Sequence, residues 1–177
     1  NRLVLKDLPG AFPDVSYTYN VTGTLATVTD GRGVTTFDYD AQDRLLSRTD
    51  PDGAAISYTY DIVGNRTTVT TSVPGNADRT TSYSFDAQNR PQTVIDPEGG
   101  VTEYVYDAAG RLVRTNLPNE TYEYREYDSL HRLTEIGSRN ATTDQVLTSF
   151  AYELDAIGNR TAVTEHDGRR VLYEYDE

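Results

Sequence analysis

The chain of 177 residues has no cysteine, no methionine and no tryptophan, and Lys6 is its one lysine. Without cysteine, neither disulfides nor thiolate metal sites can form, and redox chemistry says nothing about the compartment. No run approaches the ~18 apolar residues of a membrane-spanning helix, and no signal peptide is visible, so nothing in the segment is expected to insert into or target a membrane. Positive charge is scarce as well: the formal net charge is −12, which argues against a nucleic-acid partner held through a phosphate-neutralising face. Apolar residues make up 36%, below the usual ~45–50%, a figure that also counts glycine. Long amphipathic surfaces are therefore expected rather than a thick globular centre, although the length suffices for one domain with a core. The first residue is Asn1 rather than methionine, which suggests a piece of something larger.

What the chain does have is tyrosine and arginine. Arginine accounts for all of the 16 basic residues except Lys6. Its planar fork stacks on rings and pairs with carboxylates, a bias that genome base composition would also produce. The 14 tyrosines and 4 phenylalanines are not scattered. They recur as Tyr17 and Tyr19, Phe37 and Tyr39 before Asp40, Tyr58 and Tyr60 before Asp61, Tyr83 and Phe85 before Asp86, and Tyr104 and Tyr106 before Asp107. A degenerate copy follows at Arg125, Tyr127 and Asp128, then Tyr152, Leu154 and Asp155, then Tyr173, Tyr175 and Asp176. From Asn20 onward the Asx positions are separated by 20, 21, 25, 21, 21, 27 and 21 residues. A period of this length signals a repeat architecture. Only Phe12, Tyr122, Tyr124 and Phe150 fall outside the two aromatic columns, and aromatics so confined read as a structural ladder.

Each repeat parses into strand and turn chemistry. Before the Asp the residues alternate, as in Thr102 to Tyr106, which places both aromatics on one face of a strand. Three residues after the Asx stands Gly23, Gly64, Gly110 or Gly158, and where glycine is missing, Asp43, Asn89 or His131. An Asx start closed by a residue at positive φ is hairpin chemistry, and Asp, Asn and His are the non-glycine residues most tolerant of that region. Arg111 and its counterparts then open a second strand, and Asp50-Pro51-Asp52-Gly53 or Asp96-Pro97-Glu98-Gly99 closes the repeat with a second turn. The spacing predicts two strands of six or seven residues per repeat, each roughly 20 Å long. In the second strand the apolar residues often sit three apart, as at Leu25 and Val28 or Leu133 and Ile136. A bulge or partial burial of both faces would explain that spacing, and both readings stay open. The two long periods add residues within 71–79 and 138–144, which read as longer hairpin tips on one edge.

The pattern Y-x-Y-D-x-x-G-R-L, with D-P-x-G between copies, resembles the YD-repeat family, also called Rhs repeats, over essentially the whole chain. The family includes bacterial Rhs toxins, shell components of insecticidal toxin complexes, and animal teneurins. The resemblance implies an all-β fold: antiparallel β-hairpin repeats forming a curled or spiralling strip, part of a hollow β-shell. It implies a secreted or cell-surface protein, whose partners are neighbouring repeats of the same parent and, in bacterial members, an encapsulated C-terminal toxic domain. The family's self-cleaving aspartate motif and toxin domain are not present in this segment, so neither activity is carried over. On this reading residues 1–177 are one array of about seven repeats, a fragment of a longer shell.

The alternatives rest on few residues. Catalysis needs a cluster of groups with matched roles. Of the two histidines, His131 occupies a turn's glycine column and His166 precedes Asp167-Gly168 at another turn. No nucleophile-elbow, zinc-protease or phosphate-loop motif occurs, and no cofactor is expected. Asp50, Asp52, Asp96 and Glu98 could offer oxygen ligands to calcium, but they are equally ordinary turn formers. Exposed tyrosines with arginine could instead recognise glycans or a partner protein, and the direction in which the rings point discriminates that role from a scaffold. The two terminal strands of such an array would present unpaired backbone groups, which predicts association through the ends.

Overall fold

The computed structural model describes residues 1–8 and 13–176, so Phe12 lies outside the described residues. All regular structure among them is β-strand, arranged in two compact units, Asn1–Tyr83 and Ser84–Glu177. The first holds β1 (Leu5–Lys6), β2 (Val15–Tyr19), β3 (Leu25–Asp30), β4 (Gly33–Tyr39), β5 (Leu45–Thr49), β6 (Ala55–Tyr60), β7 (Arg66–Ser72) and most of β8 (Arg79–Phe85). The second holds β9 (Pro91–Ile95), β10 (Val101–Tyr106), β11 (Leu112–Asn116), β12 (Thr121–Tyr127), β13 (Leu133–Asn140), β14 (Val146–Leu154), β15 (Arg160–Glu165) and β16 (Arg170–Leu172). The hydrogen-bonded order is the chain order, β1 to β16, so the fold is an antiparallel meander of hairpins.

The odd spacing of the second strands has its cause in a bulge that recurs in both units. Thr18 pairs with Thr27 but Tyr19 with Leu25, so one extra residue, Ala26, is accommodated and the strand changes phase. The same shift occurs at Tyr39, Tyr60, Tyr106, Tyr127 and Leu154. It brings Val28 opposite Tyr17 and Leu25 opposite Tyr19, so both apolar residues lie on the face of the aromatic columns. The opposite face in the first unit carries β-branched hydroxyls, which suit a pleated, half-exposed surface. They bond in cross-strand pairs, Thr18 with Thr27 at 2.7 Å, Thr59 with Thr68 at 2.7 Å and Thr70 with Thr80 at 2.8 Å.

A single sheet layer buries little. Among the described residues the buried apolar side chains are Tyr122, Tyr124, Ala162 and Val163, with Thr35 and Thr115 as buried polar residues. The column tyrosines of the described strands are mostly half-buried rather than enclosed. The longest period is partly absorbed into long strands, eight residues in β13 and nine in β14. Its tip is held down: the Ala141 amide donates to the Glu120 carbonyl at 2.8 Å, and Tyr122 donates to Asp144.

The turns have the expected conformation. Gly23, Asp43, Gly64, Asn89, Gly110, His131 and Gly158 all have positive φ, with His131 at 63°. On the other side of each unit, the second turns approach one another closely. A Cβ at Gly31 would come within 2.3 Å of Pro13, and one at Gly33 within 2.8 Å of Pro51. Small residues there make room for the proline of an adjacent turn.

Candidate functional site

The repeat's Asp is folded into its own turn. Asp107 Oδ1 accepts the amides of Ala109 and Arg111, each at 2.9 Å, and Oδ2 accepts Arg111 Nε at 2.6 Å. Asp40, Asp86 and Asp128 repeat this with Arg44, Arg90 and Arg132. At Asp61 and Asp155 three amides converge on Oδ1, including those of Gly64 and Gly158. The amide and then the guanidinium of Arg111 hold the Asp107 carboxyl below the usual carboxylate range. At Asp86 the order of the two donors is reversed, with the Arg90 guanidinium first. At Asp40, Asp61 and Asp155 partial burial pushes upward and is overcome by the hydrogen bonds of the turn.

With Nε committed to its own turn, the guanidinium reaches forward to the next repeat. Arg44 Nη1 donates to the Asp61 carbonyl at 3.2 Å, Arg111 Nη1 to that of Asp128 at 3.4 Å, and Arg132 Nη1 to that of Asp155 at 2.7 Å. The same groups cover the second-column ring of the following repeat. Arg2 lies 5.0 Å from the Tyr19 centroid, Arg44 4.7 Å from Tyr60, Arg90 4.2 Å from Tyr106 and Arg111 4.8 Å from Tyr127. The tyrosine answers in the opposite direction. Tyr19 donates to the Leu3 carbonyl at 2.7 Å, Tyr60 to Leu45 at 2.8 Å, Tyr106 to Pro91 at 3.0 Å and Tyr127 to Leu112 at 3.0 Å. Each of these acceptors directly follows the arginine that covers the ring. The result is a reciprocal clamp, cation over ring in one direction and hydroxyl to carbonyl in the other.

The remaining sequence-predicted residues fall around this clamp. Tyr39 is the second-column ring of a repeat whose predecessor has Thr24 in the arginine position, and burial pushes its phenol upward. Phe85 and Leu154 have no hydroxyl to donate. In the first column, Arg66 lies 5.4 Å from Tyr58 and 6.0 Å from Tyr83, and Arg160 lies 4.2 Å from Tyr152. Tyr17 and Phe37 stand opposite Val28 and Arg48, and Tyr104 opposite the buried Thr115. Tyr173 and Tyr175 are exposed, with Tyr175 donating to the Arg160 carbonyl at 2.8 Å, and Asp176 is exposed beyond the last strand. The carboxylates considered for calcium face their own surroundings. Asp50 Oδ1 accepts Arg48 Nη2 at 2.6 Å, and Asp96 Oδ1 accepts the amides of Glu98 and Gly100. Among the described residues no group of three His, Asp or Glu is placed to hold a metal ion. His166 donates its amide to Ser149.

A second cluster escaped the sequence reading. On β12 the first-column tyrosine is replaced by Arg125, and two extra tyrosines, Tyr122 and Tyr124, face the other side. Arg114 lies 3.6 Å from the Tyr122 centroid and Arg139 4.9 Å from that of Tyr124. Tyr122 donates to Asp144 and Tyr124 to Glu135. The bond to Asp144, then burial, raises the Tyr122 phenol; burial, then the bond to Glu135, raises that of Tyr124. Tyr124 lies against Gly137, where a Cβ would come within 2.7 Å of its hydroxyl. On the column face, Arg125 Nη2 pairs with Glu123 at 3.1 Å while its Nη1 is buried without a partner. Beside it is an open hollow of about 380 Å³, lined by Glu123, Ile136, Ser138, Thr148, Phe150 and Tyr152 among others.

The family model described as RHS Repeat matches residues 19–55, 39–77, 85–122 and 106–143. No curated protein matches the chain. Similar solved structures include TcdB2-TccC3 without its hypervariable C-terminal region, at 16% identity and a TM-score of 0.38, covering 88% of this chain and 11% of that one. The Photorhabdus luminescens Tc holotoxin pore with a TccC3 mutation is similar at 14% identity and a TM-score of 0.32, covering 87% of this chain and 14% of that one. A porin-like protein from Bacteroides uniformis matches at 15% identity and a TM-score of 0.28, covering 96% and 90%. The chain thus spans less than a sixth of the two toxin-complex chains.

Proposed function

Because the chain belongs to the RHS repeat family, we propose that it is a non-catalytic wall segment of a hollow β-shell, which in the whole protein encloses or protects a cargo domain. The observation that carries this reading is the reciprocal clamp. The Asp that could have served chemistry is committed instead to its own turn, and the Arg and Tyr to joining one repeat to the next. A role repeated at successive junctions is what a wall requires, whereas an active site occurs once. In this reading residues 1–177 form one array, its partners are neighbouring repeats of the parent protein and an enclosed C-terminal domain, and the protein acts outside the cell or at its surface.

The test uses the parent protein. Limited proteolysis should leave a domain following the repeats intact, and Arg111→Ala together with Arg44→Ala should open it to digestion. Equal digestion of that domain in the presence and absence of the repeats would remove the enclosure role.

A recognition role has one observation in its favour, the hollow beside Arg125. There Phe150 is 38% exposed, and Ile136 of the lining stands opposite Arg125, where the columns elsewhere carry an aromatic ring. If a partner bound there, Arg125→Tyr would abolish binding without unfolding the chain. Under the wall reading the same change is silent for partners and mildly stabilising.

A further inference from the structure

The hollow on the column face of the second unit is built from three adjacent strands, β12, β13 and β14, and its lining divides into two ends. Ile136 stands opposite Phe150, and Ser138 stands opposite both Glu123 and Thr148. Ile136, Phe150 and Tyr152 therefore form an apolar end, while Glu123, Ser138 and Thr148 form a polar one. Phe150 is unlike the other rings. Of the described aromatics only Phe150, Tyr173 and Tyr175 are exposed, and the two tyrosines lie beyond the last strand. A ring within the sheet is thus open to solvent beside two hydroxyls and a carboxylate. At about 380 Å³ the hollow sits near the lower end of the ~300–1,000 Å³ of small-molecule sites.

The charges around it balance. Glu123 lines the hollow and accepts Arg125 Nη2 at 3.1 Å. Glu165 stands opposite Phe150 and pairs with Arg169. Arg160 lies 4.2 Å from the centroid of Tyr152, so that ring already carries its cation. An anionic ligand would meet Glu123 and Glu165, and a cationic one would meet Arg125 and Arg160. A purely apolar ligand would cover the polar end without giving it partners, which costs free energy. What fits is a neutral ligand, apolar on one side and rich in hydroxyls on the other.

We infer that the hollow is a subsite for a neutral sugar and holds one pyranose ring. The C–H side of that ring lies on Phe150 and Ile136, because its weakly positive hydrogens meet the negative face of an aromatic ring. Its hydroxyls reach Ser138, Thr148 and Glu123. A sugar hydroxyl both donates and accepts, which suits the two protein hydroxyls. The bond from Arg125 uses one of the roughly four acceptor sites of the Glu123 carboxylate, so the carboxylate can accept from the sugar as well. A methyl glycoside of about 13 heavy atoms, binding with the efficiency of ordinary ligands, has a dissociation constant on the order of 1–10 mM. This assignment rests on the recognition reading of the hollow, and it does not depend on whether the wall encloses a cargo.

Saturation-transfer NMR on the parent protein tests this, since it reads binding from the sugar's own signals. The probes are the methyl glycosides of glucose, galactose and mannose. At least one should receive saturation, most strongly at the ring protons of its apolar side. Phe150→Ala and Thr148→Val should each weaken that binding several-fold, whereas Phe150→Tyr should retain it. Circular dichroism should be unchanged in both weakened variants, because Phe150 is exposed and valine has the shape of threonine. The uronic-acid and amino-sugar counterparts of the sugar that binds, one anionic and one cationic, should bind several-fold more weakly. No transfer to any of the three glycosides at about 100 mM, well above the expected constant, would overturn the assignment. So would binding equal in the unchanged parent and in both weakened variants, or charged counterparts that bind as well as the neutral sugar. N-acetyltyrosinamide probes a peptide ligand instead. If it binds more tightly than the glycosides and is lost in Arg125→Tyr, the sugar is refuted while the recognition reading of the hollow stands; if no probe binds, both fall.

Discussion

Tyr127 allows the clamp to be dissected by two substitutions at one site. Its hydroxyl donates to Leu112 at 3.0 Å, its ring lies under Arg111 at 4.8 Å, and its side chain is half-buried. Tyr127→Phe removes the hydrogen bond alone and should cost about 1 kcal/mol. Tyr127→Ala also removes the cation–ring contact, about 0.5–1 kcal/mol. It further removes about 100 Å² of buried ring surface, about 2.5 kcal/mol at 25 cal/mol per Å². Because the contributions overlap, the total should be about 3 kcal/mol, at the lower edge of what a core aromatic costs. Urea unfolding followed by circular dichroism measures both, with the hydrogen exchange of β11 and β12 locating the loss. A cycle with Arg111→Met should return a coupling of about 0.5–1 kcal/mol for the pair. Equal losses for the Phe and Ala variants, or an Ala loss below about 1 kcal/mol, would refute the clamp as the source of stability and mean that the column face is solvated.

Other sites test the same geometry from different sides. With φ at 63°, His131→Gly should be neutral or mildly stabilising, while His131→Val should cost about 1–2 kcal/mol by crowding its Cβ; a thermal melt distinguishes them. Leu154→Tyr supplies the ring and hydroxyl missing opposite Arg132 and should raise stability by about 1 kcal/mol in urea unfolding, with no change indicating that the site cannot accept the clamp. Gly137→Ala drives a Cβ to 2.6 Å from the Thr148 carbonyl and 2.7 Å from the Tyr124 hydroxyl, and should cost about 1–3 kcal/mol, read from the midpoint of urea unfolding. Asp40, Asp61, Asp86, Asp107, Asp128 and Asp155 all have carboxyls below their ordinary value. Their contribution is therefore present above the unfolded-chain value of about 3.9 and lost as pH falls through the lower folded values. Melting temperature should stay level from neutral pH to about 5 and drop below about 4, less steeply in Asp107→Asn; a drop that begins near pH 6 would contradict the assignment.

The turns were legible because their chemistry is local: Asx acceptance, a residue at positive φ and proline geometry all lie within a few residues of sequence. His131 stands at positive φ because it takes the place that Gly110 and Gly158 hold in their turns, which the spacing from Asp128 makes visible in sequence. The column tyrosines were legible as one face of a strand, and arginines over rings were expected. The direction of the clamp was not, since it depends on which repeat lies beside which in the folded sheet. The bulge at each second-column residue left the three-residue spacing of Leu25 and Val28 ambiguous, because only pairing across strands reveals the phase change. Tyr122 and Tyr124 lie outside both aromatic columns, so the repeat pattern assigns them no role. Their signal was a conjunction: two aromatics out of phase on β12, Arg125 in a tyrosine's place, and a glycine at 137 in the facing strand. The exposed tips Val21, Ile62 and Ile157 could not be separated from core residues by type, since aliphatic side chains in a turn look no different in sequence from those in a strand.

The clamp also bears on how such an array can change length. Arg44, Arg90 and Arg111 are each matched to the second-column ring that follows at the same phase, Tyr60, Tyr106 and Tyr127. A tandem copy of residues 86–106 inserted after Tyr106 would therefore carry one clamping Arg and its Tyr together and restore the Tyr-to-Asp step at both of its ends. Gain or loss of whole periods by unequal recombination is structurally silent at the breakpoints, wherever within the period the break falls. Gains of part of a period are not, because they leave a cation without a ring and a hydroxyl without a carbonyl. The wall can thus lengthen or shorten by duplication alone, without a compensating substitution at any junction.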